Sequence, residues 1–190
     1  MYHVHSVRAF VCRVLPRGEA DASLELAIEG MGFVRAVAKG IRLAKSKSRY
    51  AATELSFIDA ELVRGKEVWR LIKARVGTDA PAVASRLSAD ARRALARAAR
   101  LAWTVCDEDA DDGAYRSIYD LAASLSSGAD PESAESLAAA RILVSMGYLD
   151  PAPFPFIDRT YGEASALAQA AERRDELIAA VNHAIRAATG

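Results

Sequence analysis

"ASLELAIEGMGFVRAVAKG", residues 22–40, decides the fold. Leu24, Leu26 and Ile28 alternate with Ser23, Glu25 and Ala27, and after a glycine-rich turn a second alternating segment runs from Gly32 to Gly40. A period of two is the pattern of a strand whose two faces meet different surroundings. Outward from this pair the pattern repeats. "VRAFVCRVL" (7–15) is β-branched and aromatic, and "PRGEAD" follows it as a turn. "ATELSFIDAELVRG" (52–65) puts Leu55, Phe57, Asp59, Glu61 and Val63 on one side and Ser56, Ile58, Ala60 and Leu62 on the other. Both faces are mixed, which suggests a bulge or bend. "KEVWRLIKARV" (66–76) completes the set. Five short strands with glycine turns predict a five-stranded antiparallel barrel of the oligonucleotide-binding (OB) type over residues 1–78.

The chain then changes character. Residues 1–78 carry 14 Lys+Arg and 8 Asp+Glu, and residues 79–190 carry 11 and 17, so a neutral protein is split into a half of +6 and a half of −6. All five lysines lie in the first half, and alanine dominates the second. The double shift predicts a domain boundary near 76–81 and an all-α domain over 79–190, an α+β chain as a whole. Helical periodicity appears in 88–109, 113–128, 130–147 and 160–190. Asp130 and Pro131 read as N-cap and first helical residue, Gly147 as the residue after the helix, and Thr160 with Glu163 as a capping box.

Composition narrows the function classes. Of the 190 residues, 52% are hydrophobic and 26% charged, as in ordinary globular proteins. No apolar run is long enough to span a bilayer, so no membrane partner is expected. The N-terminus lacks the pattern of a secretory leader. Two distant cysteines, Cys12 and Cys106, fit a reducing, cytoplasmic setting and make no four-cysteine zinc site. His3 and His5 lack a third ligand nearby, and the acidic run "DEDADD" (107–112) lacks the spacing of a calcium loop. No metal or cofactor is therefore expected. Acidic neighbours make Cys106 a poor nucleophile. Aligning Lys45-Ser46 with the end of a phosphate-binding loop places Lys39 and Ala44 where that loop needs glycines. No Ser/His/Asp set has a local signature, and the chain is not expected to be an enzyme.

What stands out is "RAVAKGIRLAKSKSRY" (35–50). It carries Arg35, Lys39, Arg42, Lys45, Lys47 and Arg49 with no acid among them, and ends at Tyr50. Cations interleaved with glycine, serine and an aromatic suit phosphate contacts and base stacking. These residues are the primary nucleic-acid candidates; Arg64, Lys66 and Arg70 on the last hairpin are secondary. Phe33, Phe57 and Trp69 are expected in the core of the barrel, and Trp103, Tyr115 and Tyr119 as packing residues in the helical half.

The ordered set of pieces in residues 6–75 resembles the N-terminal domain of the bacterial DNA repair protein family RecO. The pieces are Gly18-Glu19 with Asp21, the segment Gly32 to Arg42, the basic loop Lys45 to Arg49, and Arg64 to Trp69. "ARILVSMGYLDPAPF" (140–154) is similar to a helix and turn of that family's α-helical domain. The resemblance implies a non-catalytic recombination mediator. Such proteins bind single- and double-stranded DNA, anneal complementary strands, and act with RecR to load RecA onto strands coated by single-stranded DNA-binding protein. It also implies a nucleoid-associated location and a site for the acidic tail of single-stranded DNA-binding protein in the helical half, for which an apolar pocket flanked by Arg92, Arg93, Arg97 or Arg100 would be suited. Many relatives carry four zinc-binding cysteines that this chain lacks, and this chain is shorter. Two alternatives stand beside this reading: an RNA-binding barrel, and a protein-interaction module with a charge-polarised surface.

Overall fold

The structure is a computed structural model that describes residues 3–78, 81, 86–108, 110 and 112–189. Five strands, β1 (Val4–Arg17), β2 (Asp21–Ile28), β3 (Gly32–Ala38), β4 (Phe57–Arg64) and β5 (Trp69–Val76), close into a barrel in the order β1-β2-β3-β5-β4. All neighbours are antiparallel except β3 and β5, which pair in parallel through Ala36–Trp69 and Val37–Arg70. Strand direction cannot alternate all the way round a ring of five, so one parallel pair is the condition of closure.

Period-two patterning builds the barrel core. Leu24, Leu26 and Ile28 of β2 meet Val34, Ala36 and Ala38 of β3 and Ile58, Ala60 and Leu62 of β4. The connection from 39 to 56 sends Ile41, Ala51 and Ala52 into the same core and plugs one end of the barrel. Trp69 is buried there, as expected. The irregularity expected within 52–65 is present, between Glu61 and Leu62 where β4 meets β5, and a second cause adds to the mixed faces. The strand begins only at Phe57, and its outward Phe57 is covered by Tyr115 and Tyr119, with ring centroids 6.3 and 5.4 Å away. Another ladder irregularity lies on β1, between Val11 and Arg13.

Five helices follow: α1 (Ala89–Val105), α2 (Asp112–Ser126), α3 (Pro131–Ser145), α4 (Glu163–Glu172) and α5 (Arg174–Thr189). Asp130 caps α3 by accepting the Ser133 N–H at 2.9 Å. Gly147 follows the helix in the left-handed region, with Tyr148 N–H donating to Leu143 O at 2.8 Å. The expected helix 160–190 is instead two helices. Thr160 lies in a short 3-10 turn, and Gly162 precedes α4. The capping box does not form, because Gly162 and not Thr160 caps α4; Glu163, the first helical residue, accepts from Arg141 Nη1 at 2.7 Å. Arg141 is 3% exposed and also donates to Ile157 O. No described helix is long and apolar enough to cross a membrane.

The expected junction at 76–81 lies partly outside the described residues. On either side of it, strands and helices share one apolar cluster. Phe10, Cys12, Ala27, Phe33 and Phe57 point out of the barrel and pack on Ala94, Leu95, Ala98, Ala102, Tyr115 and Ile118. Alanines along α1 let its backbone come close. The core location expected for Phe33 and Phe57 holds, but it is this second layer and not the barrel interior. At the rim, Phe33 N–H donates to Asp107 O at 3.1 Å and Gly30 N–H to Asp112 Oδ1 at 2.9 Å.

Candidate nucleic-acid interface

β3 turns Arg35 and Val37 outward while Val34, Ala36 and Ala38 face the core, and Lys39 continues the outward row. β5 runs parallel beside it, with Arg70 exposed opposite Val37. Past Arg70, β3 has ended and the 39–56 connection takes its place. Ser48 Oγ accepts the Ala74 N–H at 2.9 Å, and Tyr50 and Val76 line one small cavity. A line therefore runs from Arg35 through Lys39 and Arg70 to the loop and Tyr50. At about 3.3 Å per residue, two residues of β3 and six of β5 make it ~26 Å long.

The start of the connection is stitched to the β1–β2 turn. Gly40 N–H donates to Asp21 Oδ1 at 2.7 Å, Arg42 N–H to Ala20 O at 2.9 Å, and Arg42 Nη1 to Gly18 O at 2.6 Å. The acid of the sequence turn, Asp21, thus shapes the loop from outside it. Arg42 is spent largely on this anchoring. Lys45, Lys47 and Arg49 are exposed, and the Arg49 guanidinium lies 6.0 Å from the ring centroid of Tyr50, itself 77% exposed.

The remaining candidates divide. Arg35 Nη2 donates to Glu25 Oε1 at 2.8 Å, and its guanidinium lies 5.7 Å from the Trp103 ring centroid. Arg64 lies over the Trp69 ring at 5.5 Å, with Glu108 at 3.8 Å, so its charge is set against that carboxylate. Lys66 is exposed at the β4–β5 turn, away from the loop. Among the described residues Lys39, Lys45, Lys47, Arg49, Lys66 and Arg70 make no ion pair, whereas Arg8, Arg13, Arg75, Arg97, Arg116 and Arg159 all do.

One residue of this surface was missed in the sequence: Arg17, which ends β1 beside the stitched turn. The remaining lysine, Lys73, instead stands opposite Glu61 of β4 in the ladder and lines a cavity with Glu29 and Asp59. In the helical half a cavity of about 380 Å³ opens between α1, α3 and α5, lined by Leu101, Ala139, Ile178 and Val181. Arg97 flanks it but is held by Glu135. No protein-family model matches the chain, and no curated protein matches it at a significant level.

Proposed function

We propose that the protein binds nucleic acid, single-stranded DNA first, along the line from Arg35 to Tyr50. The observation that carries this reading is the row of exposed, unpaired cations, Lys39, Lys45, Lys47, Arg49 and Arg70, on a loop and strand anchored to a closed barrel. Most arginines outside this surface, Arg8, Arg13, Arg75, Arg97, Arg116 and Arg159 among them, are matched to carboxylates, whereas this surface keeps its charge for an external anion. Phosphates fit it, since lysines act as point charges that need no fixed geometry. OB-type barrels bind single strands through such grooves, at ~4–16 nucleotides per barrel.

The wider role rests on the resemblance to RecO: a non-catalytic mediator of DNA repair that anneals strands, partners RecR and the acidic tail of single-stranded DNA-binding protein, and assists RecA loading. Titration of a fluorescent deoxythymidine oligomer at several salt concentrations tests the binding. Five engaged cations at about 0.7 per phosphate give a log–log slope near −3.5. No binding at low salt, or a slope near zero, overturns the reading. Faster annealing of complementary oligonucleotides tests the mediator role, and RNA of the same sequence serves as the competing strand.

A further inference from the structure

Glu25 is the feature that DNA binding by the loop leaves unexplained. It stands on the outward face of β2, where an acid would ordinarily be solvated, yet it is 2% exposed. Its neighbours across the sheet are Arg13 on β1 and Arg35 on β3. Arg35 takes Oε1 at 2.8 Å, and Arg13 Nη1 stands 3.9 Å from Oε2, which has no hydrogen-bond partner. The Arg35 side chain is nevertheless 56% exposed. Its guanidinium therefore has one edge tied to a buried carboxylate, the Trp103 ring on one side, and solvent on the other. Trp103 is braced in turn by Phe33, edge-on at 6.2 Å.

We propose that this Glu25–Arg35–Trp103 stack is a preformed platform for an unpaired base. The proposal rests on the single-strand reading above and extends it across the junction with α1. A planar guanidinium tied to Glu25 and set over the Trp103 ring offers a cationic face, and bases stack on such planes. Duplex bases are already stacked on each other and offer none, so the platform discriminates between strands where the loop lysines cannot. It stands at one end of the ~26 Å line, with Tyr50 at the other. Arg100, exposed one helical turn before Trp103, extends the cationic surface onto α1.

Two measurements test this. Trp69 is 5% exposed, so quenching of the native protein's emission by acrylamide reports mainly on half-buried Trp103. Saturating oligo-deoxythymidine is expected to protect Trp103, and a blunt duplex is not. Arg35→Lys keeps the charge but removes the plane. It is expected to lose about tenfold in single-strand affinity while duplex affinity and the salt slope stay unchanged. If Arg35→Lys does not fold, the quenching result on the native protein decides. A folded Arg35→Lys that binds single strands as the native chain does, loses both affinities alike, or leaves Trp103 equally quenchable when saturated overturns the platform. Binding that depends on Lys45, Lys47 and Arg49 without protecting Trp103 removes the platform and leaves the loop reading standing. No binding of any strand removes both.

Discussion

Ser48 and Ala74 are joined by a hydrogen bond of 2.9 Å from the Ala74 N–H to the Ser48 hydroxyl. It ties the basic connection to the side of β5 that β3 has left. Ser48→Ala deprives that N–H of its partner and is expected to cost about 1 kcal/mol, read from the denaturant midpoint. Nucleic-acid affinity should fall roughly threefold as the loop loosens. The salt slope should not change, because no cation is removed.

Replacing Lys45, Lys47 and Arg49 together by alanine has the opposite signature. The slope of log affinity against log salt should flatten by about 2, since each lost phosphate contact removes about 0.7. All sequences should weaken alike. Stability should stay within about 0.5 kcal/mol, because these side chains are exposed and unpaired. Unchanged affinity in the folded variant would move the binding surface elsewhere.

Gly32 has φ +76°, and a Cβ there would lie 2.7 Å from Asp107 O and closer still to Glu108 O. Gly30 has φ +72° with open space around it. Gly32→Ala is therefore expected to cost roughly 2–4 kcal/mol and Gly30→Ala about 1, since the second meets backbone strain alone. Thermal unfolding of the pair separates the clash from the conformational term.

The Ser133 hydroxyl, and then the Ser133 N–H, hold the Asp130 carboxyl below its ordinary value. A depressed carboxylate stabilises the fold above its unfolded pKa and loses that contribution as pH falls through the folded value. Asp130→Ala should cost about 1 kcal/mol at pH 7. The gap to the native chain should narrow as pH falls from ~3.9, the unfolded value, through the lower folded one. Urea midpoints at pH 7 and pH 3 give both numbers.

Burial pushes the Cys12 thiol up to about 12, and Cys106 is buried beside the same helices. Neither should react with a chromogenic disulfide at pH 8 in the native protein, because the thiolate is the reactive form. Unfolding should release two thiols. Rapid native labelling would mean that the layer between barrel and helices opens readily.

Much of the barrel was legible because its inner face obeys period two without exception from Leu24 to Ile28 and from Val34 to Ala38. The outer face was harder. Glu25 reads as a solvated position in any strand pattern, and its nearest partners, Arg13 and Arg35, reach it only once β1 and β3 pair on either side of β2. Helix α2, through Tyr115 and Tyr119, gives Phe57 a reason to point outward. Trp103 is a half-buried rim residue under Arg35, a position that helical spacing cannot distinguish from plain packing. The break after α4 was hidden because alanine-rich periodicity runs through it. What ends α4 is Arg173, whose guanidinium turns away to Pro153 O and the Phe154 ring. Of the site, the loop lysines were legible from charge alone, since no tertiary partner claims them. Arg35, Arg42 and Arg64 carry the same charge in the sequence, and their partners Glu25, Gly18 and Glu108 come from distant segments.

The apolar layer joining Phe10, Phe33 and Phe57 to α1 and α2 bears on how such a protein can evolve. Each half presents the other with a surface that water would penalise if it stood alone. A gene fusion that transplanted the barrel without its helices would carry three exposed phenylalanines into its new host. The two halves must therefore be inherited as a pair, and substitutions at Phe33 or Phe57 should be tolerated only with compensating changes at Trp103, Tyr115 or Tyr119.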